Sequence, residues 1–137
     1  LKQKLIILCT TILCLSGNAW SSKEQYCMTE AIYYEARAES YVGKIAVGHV
    51  ILNRIRKGYG SDPCDVVSKK RQFSWFGKRI PIKEYKLWND CKRISADILD
   101  NKTKDPTKGS IFFHERKLRP GWKYKRTVEI GSHIFYK

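Results

Sequence analysis

The apolar period of this 137-residue chain changes once, near residue 110, and that change constrains its fold more than any count of residue types. Before it, residues recur at helical spacing. Residues 25–39 read as one helix. Ser40 then suits an N-cap for a second, residues 41–56, with Ile45, Ala46, Val50, Ile51 and Leu52 on a broad apolar side. "KGYGSDPCD" (57–65) has loop composition, and 66–79 mixes aromatics and cations without a clear period. Pro81 suits the first turn of a third helix, in which Tyr85, Trp88, Cys91, Ile94, Ser95, Ile98 and Leu99 share a face. After a polar stretch (101–109), "SIFFH" (110–114) reads as a strand and "TVEI-GS-HIFY" (127–136) as a hairpin closed by Gly131 and Ser132. Helices first and antiparallel strands last predict an α+β fold, an N-terminal helical lobe with a small C-terminal antiparallel sheet. The length suits one domain.

The first residues bear on compartment. Lys2 and Lys4 precede an apolar run, "LIILCTTILCL", and Gly17 and Ala19 place small residues before Trp20. This is the pattern of a secretory signal peptide over residues 1–19, ahead of a single domain over 20–137, the alternative being an uncleaved short anchor. The run is shorter than the ~20 residues of a spanning helix, so no stable membrane insertion is expected once the leader is removed. The net charge of +14 predicts an anionic partner: nucleic acid, an acidic membrane surface or an acidic wall polymer. Charge alone does not choose among them.

Export would permit disulfides. Outside the leader stand Cys27, Cys64 and Cys91, enough for one bridge and a spare thiol. A Cys27–Cys64 pair would tie the first helix to a distant loop; the alternative is three reduced thiols. Neither CxxC nor HExxH occurs, and His49, His114 and His133 are too scattered to suggest a metal site. No metal and no cofactor is expected.

"AIYYEARAES" (31–40) carries the most chemistry. On a helix turning 100° per residue, Glu35 and Glu39 each fall within about 20° of Met28, in the middle of the apolar stripe, while Glu30 and Arg37 fall opposite. Surface charge, a buried ion pair and a functional carboxylate all remain open on this geometry. Burial would matter because a free Glu, titrating near ~4.3, is almost wholly ionised at neutral pH, whereas a general acid must hold its proton. Desolvation raises the pKa, and a second carboxylate raises it further.

Taken together, "EAIYYEARAES", "GKIAVGHVILNRI", "DPCDVV", "RQFSW", "DPTKGSIFFH" and "IGSHIFYK" resemble, in order and spacing, the cell-wall hydrolase family of the spore cortex-lytic enzyme SleB. The resemblance covers residues 27–137. It implies a lysozyme-like α+β catalytic domain, a lytic transglycosylase cutting the bond between N-acetylmuramic acid and N-acetylglucosamine in peptidoglycan. The first glutamate of the family's E-A-R-G-E motif falls on Glu35, which is thereby the implied catalytic acid. Ala38 stands where the motif has glycine, which leaves the orientation of Glu39 open and gives that residue a supporting role. Gln72, Phe73, Ser74 and Trp75 combine amide, hydroxyl and aromatic groups of the kind that bind sugars, and Phe113, His114 and Tyr136 are further candidates for the cleft.

Two rivals accompany this expectation. A hydrolytic muramidase would need a second carboxylate, from Glu39, Asp62 or Asp65. A non-enzymatic cationic wall-binding protein would need none. A nucleic-acid partner is disfavoured by the leader and the ordered motif set. The expected partner is the glycan strand of peptidoglycan, met by a monomer in the periplasm, cell wall or extracellular space.

Overall fold

The computed structural model describes residues 19–137, so the expected leader, Ala19 apart, lies outside the described residues. Four helices precede three strands: α1 (Ser22–Ala36), α2 (Tyr41–Arg56), α3 (Pro63–Ser68), α4 (Tyr85–Leu99), β1 (Phe112–Glu115), β2 (Arg126–Ile130) and β3 (His133–Tyr136). The α+β architecture expected from the change of period is the one observed.

Helix α1 starts at a capping box, in which the Ser21 hydroxyl accepts from the Glu24 amide and the Glu24 carboxylate accepts from that of Ser21. Its buried side, Met28, Ala31, Ile32 and Tyr33, faces α4, where Cys91, Ile94, Ile98 and Leu99 form the matching stripe. The Thr29 and Ser95 hydroxyls meet at 2.8 Å across that contact and satisfy each other. Helix α2 is packed on several sides and is buried for most of its length. Gly48 allows this, because a Cβ there would run into the Ile98 side chain.

Three sequence expectations are corrected. Helix α1 stops at Ala36, not Glu39, because Ser40 caps α2 through its hydroxyl and must itself be extended (ψ 168°). Alanine at position 38 therefore does not prolong the helix. Part of the expected 57–65 loop is helical: Asp62 caps α3, and Pro63 occupies its first turn, where the missing N–H costs nothing. Pro81 lies outside the third predicted helix, which begins four residues later at Tyr85.

The strands form one antiparallel sheet in the order β1-β3-β2. Phe113 lies opposite Phe135, and Glu115 opposite His133. Alternation sends Phe113, Glu115, His133 and Phe135 to one face and Phe112, His114, Ile134 and Tyr136 to the other. The first face packs on the helices, with Phe135 against Ala46 and Val50 of α2. The start of β1 is fixed from α2 as well. The Asn53 amide donates to Asp105 and to the Ser110 carbonyl, and Arg54 Nε donates to the Ile111 carbonyl at 2.7 Å. Asp105 in turn accepts the Thr107 and Gly109 amides, which closes the "DPTKG" loop. A bridge joins Cys27 of α1 to Cys64 of α3, as one reading of the cysteines expected, and Cys91 is a buried free thiol. Among the described residues no helix is long and apolar enough to cross a membrane.

Candidate active site

Glu35 stands in the last turn of α1, half-buried, beside the irregular segment 69–78. The indole Nε1 of Trp75 donates to Glu35 Oε1 at 2.8 Å. That indole is itself held by rings on several sides, Tyr34 at 5.2 Å and Phe73 at 5.5 Å between centroids. Tyr34 donates from its hydroxyl to the Ile80 carbonyl and so pins the chain just beyond that segment. The aromatic residues of "RQFSWFGKR" thus form a stack that aims one N–H at one carboxylate.

Burial is the largest influence on Glu35 and raises its pKa. The Trp75 hydrogen bond favours the ionised form and works against this. The negative charge of Glu115 adds to the rise. Arg37, the nearest cation in sequence, is paired with Glu84 at 2.8 Å and lies over the Tyr33 ring. A carboxyl whose pKa is raised above the ordinary glutamate value holds its proton more readily and can donate it to a leaving group.

The second carboxylate acting on Glu35 is Glu115, which sequence reasoning missed. Its signal was the period of two on β1: from the inward Phe113, the next residue on that face is Glu115. Glu39 is engaged elsewhere. Turned off the end of α1, it accepts from the backbone N–H of Ser132 at 3.2 Å and from the Ser132 hydroxyl. Its methylene lies against Gly43, where a Cβ would approach to 2.8 Å, and its carboxylate covers Gly131 (φ 58°). Glu39 therefore clasps the β2–β3 turn to the α1–α2 junction. His133 is buried beside these groups: burial lowers its pKa, the charges of Glu39 and Glu115 oppose that, and its Nδ1 has no partner.

The other candidates divide. Phe73 is buried beneath the Arg54 guanidinium, Ser74 is exposed, and Gln72 lines a cavity with Arg54 and Lys69. Phe113 packs between His133 and Phe135 and bridges the helical core to the sheet. His114 and Tyr136 meet at 2.9 Å on the opposite face of the sheet from Glu115, among Trp122 and the arginines of the 116–126 loop. The structure does not bring them to Glu35. Asp62 and Asp65, the expected second carboxylates of a hydrolase, are taken up by the N-terminus of α3 and by Lys69.

A helical lobe and a three-stranded sheet with a partly buried glutamate beside them define an α+β domain with one candidate acid. The chain belongs to the Cell Wall Hydrolase family, whose model matches residues 38–136, beginning three residues after Glu35. It is 31% identical over 128 residues to a spore cortex-lytic enzyme of Oceanobacillus iheyensis, covering 88% of this chain and 44% of that one. It is 27% identical over 125 residues to one of Bacillus cereus, covering 88% and 46%. The chain thus spans less than half the length of these relatives. Its fold is similar to the catalytic domain of the Bacillus cereus SleB protein, with a TM-score of 0.73, 26% identity, and coverage of 88% of this chain and 94% of that one. It is similar to the same extent, TM-score 0.73, to the catalytic domain of the germination-specific lytic transglycosylase SleB from Bacillus anthracis, at 27% identity and 88% and 98% coverage.

Proposed function

We propose that this chain is an exported enzyme that cleaves peptidoglycan glycan strands, with Glu35 as its general acid. One observation carries the reading: a partly buried glutamate whose pKa burial raises, oriented by a single indole N–H. Glu35 donates its proton to the oxygen linking N-acetylmuramic acid to N-acetylglucosamine as the C1–O bond breaks. The resulting carboxylate then accepts the proton of the muramic 6-hydroxyl, whose oxygen closes onto C1. The products are a 1,6-anhydromuramic end and a free 4-hydroxyl on the next sugar, and Glu35 is reprotonated. The nucleophile comes from the sugar, so one carboxyl suffices. General acid catalysis of this kind typically contributes 10²–10⁴-fold.

The leader over residues 1–19 would deliver a monomeric domain to the periplasm, wall or exterior, where the disulfide is stable and the basic surface meets a wall rich in carboxylates. A second reading is favoured by Glu115. A carboxylate near the acid is what a hydrolytic muramidase uses to direct water at C1.

Digestion of purified peptidoglycan with wild type and Glu35→Gln, followed by mass analysis, tests all of this. The expected result is loss of at least ~10²-fold of activity in the variant and anhydro ends from the wild type. Reducing ends would shift the chemistry to hydrolysis. Undiminished lysis by the variant would leave only a cationic binding protein.

A further inference from the structure

The cavity lined by Gln72 is the least expected feature of the molecule. It encloses about 330 Å³ between the end of α2, α3 and the start of β1, and Arg54 stands in its wall with Lys69, Tyr59 and Phe112. Arg54 is only 7% exposed. The Phe73 and Phe112 ring centroids lie 5.6 and 5.7 Å from its guanidinium carbon. Nε is used by the Ile111 carbonyl, while Nη1 is buried and has no partner. Among the described residues no carboxylate pairs with it; burial alone acts on it and lowers its pKa to about 10, so it remains charged at neutral pH. A buried cation with neither counter-ion nor full hydrogen bonding is costly, and an anionic ligand would offset that cost. The arginines beside Trp122 on the far face of the sheet differ, since Arg116 and Arg126 already share Glu129.

One short segment links this cavity to the candidate active site. Segment 72–75 borders both places: Trp75 donates to Glu35, and Gln72 lines the cavity. Phe73 touches both ends, stacking on Arg54 and packing against Trp75.

We propose that the Arg54 cavity is a subsite for a carboxylate carried by the glycan strand, its lactyl or stem-peptide carboxyl, while the strand is held at Glu35. This rests on the function proposed above. Arg54 lines the cavity with no carboxylate of its own, and a planar carboxylate is the partner that a guanidinium takes in a forked pair. Gln72 and Lys69 supply further donors at the rim.

The Glu35→Gln protein, which would hold strands uncut, provides the test by calorimetry. Native strands should bind at least tenfold more tightly than strands whose carboxyls have been amidated. Amidase-stripped strands, which keep only the lactyl carboxyl, identify the source: full affinity assigns that group, reduced affinity the stem peptide. Adding Arg54→Gln should remove the preference for native strands. Should that variant fail to fold, Gln72→Leu and Lys69→Gln at the rim should each reduce the preference several-fold. Equal binding of native and amidated strands overturns the proposal, as does displacement of the strand by inorganic phosphate far better than by acetate. Undiminished cleavage by Glu35→Gln would instead overturn the reading on which it rests, so the two failures are distinct.

Discussion

At the scale of single residues, Glu35 couples activity to stability. Unfolded, its carboxyl titrates in the ordinary range near ~4.3; folded, burial raises the value. Between the two the folded chain binds more protons than the unfolded one, so this group makes stability fall as pH rises through that window. Glutamine keeps the acceptor for Trp75 and carries no charge. Glu35→Gln should therefore melt above wild type at neutral pH, with the difference vanishing below about pH 4, as calorimetry across pH would show. Glu115 gives a second expectation. Its charge raises the Glu35 pKa, so Glu115→Gln should move the alkaline limb of the pH–rate profile to lower pH. Because Glu115 is exposed, that displacement should shrink as salt is added.

Among the elements, the β2–β3 turn depends on a side chain distant in sequence. Gly131 adopts φ 58°, and any Cβ there would meet the Glu39 carboxylate that binds Ser132. Gly131→Ala combines backbone strain with that collision and should cost on the order of 1–3 kcal/mol in urea unfolding. In a Glu39→Ala background the steric part should disappear and the remaining cost be smaller. The same clasp explains what the sequence concealed. The stripe through Met28, Ala31 and Ile32 located α1 and Glu35 well, because a 3.6-residue period is imposed by burial along a whole face. It misplaced Glu39, because a helix end is decided by capping: the Ser40 hydroxyl stabilises the start of α2 and forces the chain out of helix before it. The Gly131-Ser132 hairpin was legible from turn chemistry. Segment 69–78 was not, since its shape comes from aromatic packing against α1, with only short-range turns of its own.

Over the whole molecule, the order of helices and strands was written in the change of period, whereas the convergence of Trp75 and Glu115 on Glu35 was not. Those residues act on Glu35 across separations of 40 and 80 positions, Trp75 by a hydrogen bond and Glu115 through its charge, and no local pattern encodes such couplings. What holds them together includes the Cys27–Cys64 bridge, 37 residues apart in sequence, which fastens α3 to α1 immediately ahead of the segment carrying Trp75. Cross-linking a loop of that size restricts the unfolded chain and contributes about 3–4 kcal/mol. A Cys27→Ser, Cys64→Ser variant should lose that amount in equilibrium unfolding. Cys91 will not compensate: it is buried against α1 and its thiol is pushed up to about 11, which leaves it a poor nucleophile. The variant should also lose activity at temperatures below its own melting point, because α3 and the Trp75 segment can part from α1 before the core opens. Parallel heating curves for cleavage and for circular dichroism would separate that local release from global unfolding, and coincident curves would place the bridge's whole effect on the unfolded state.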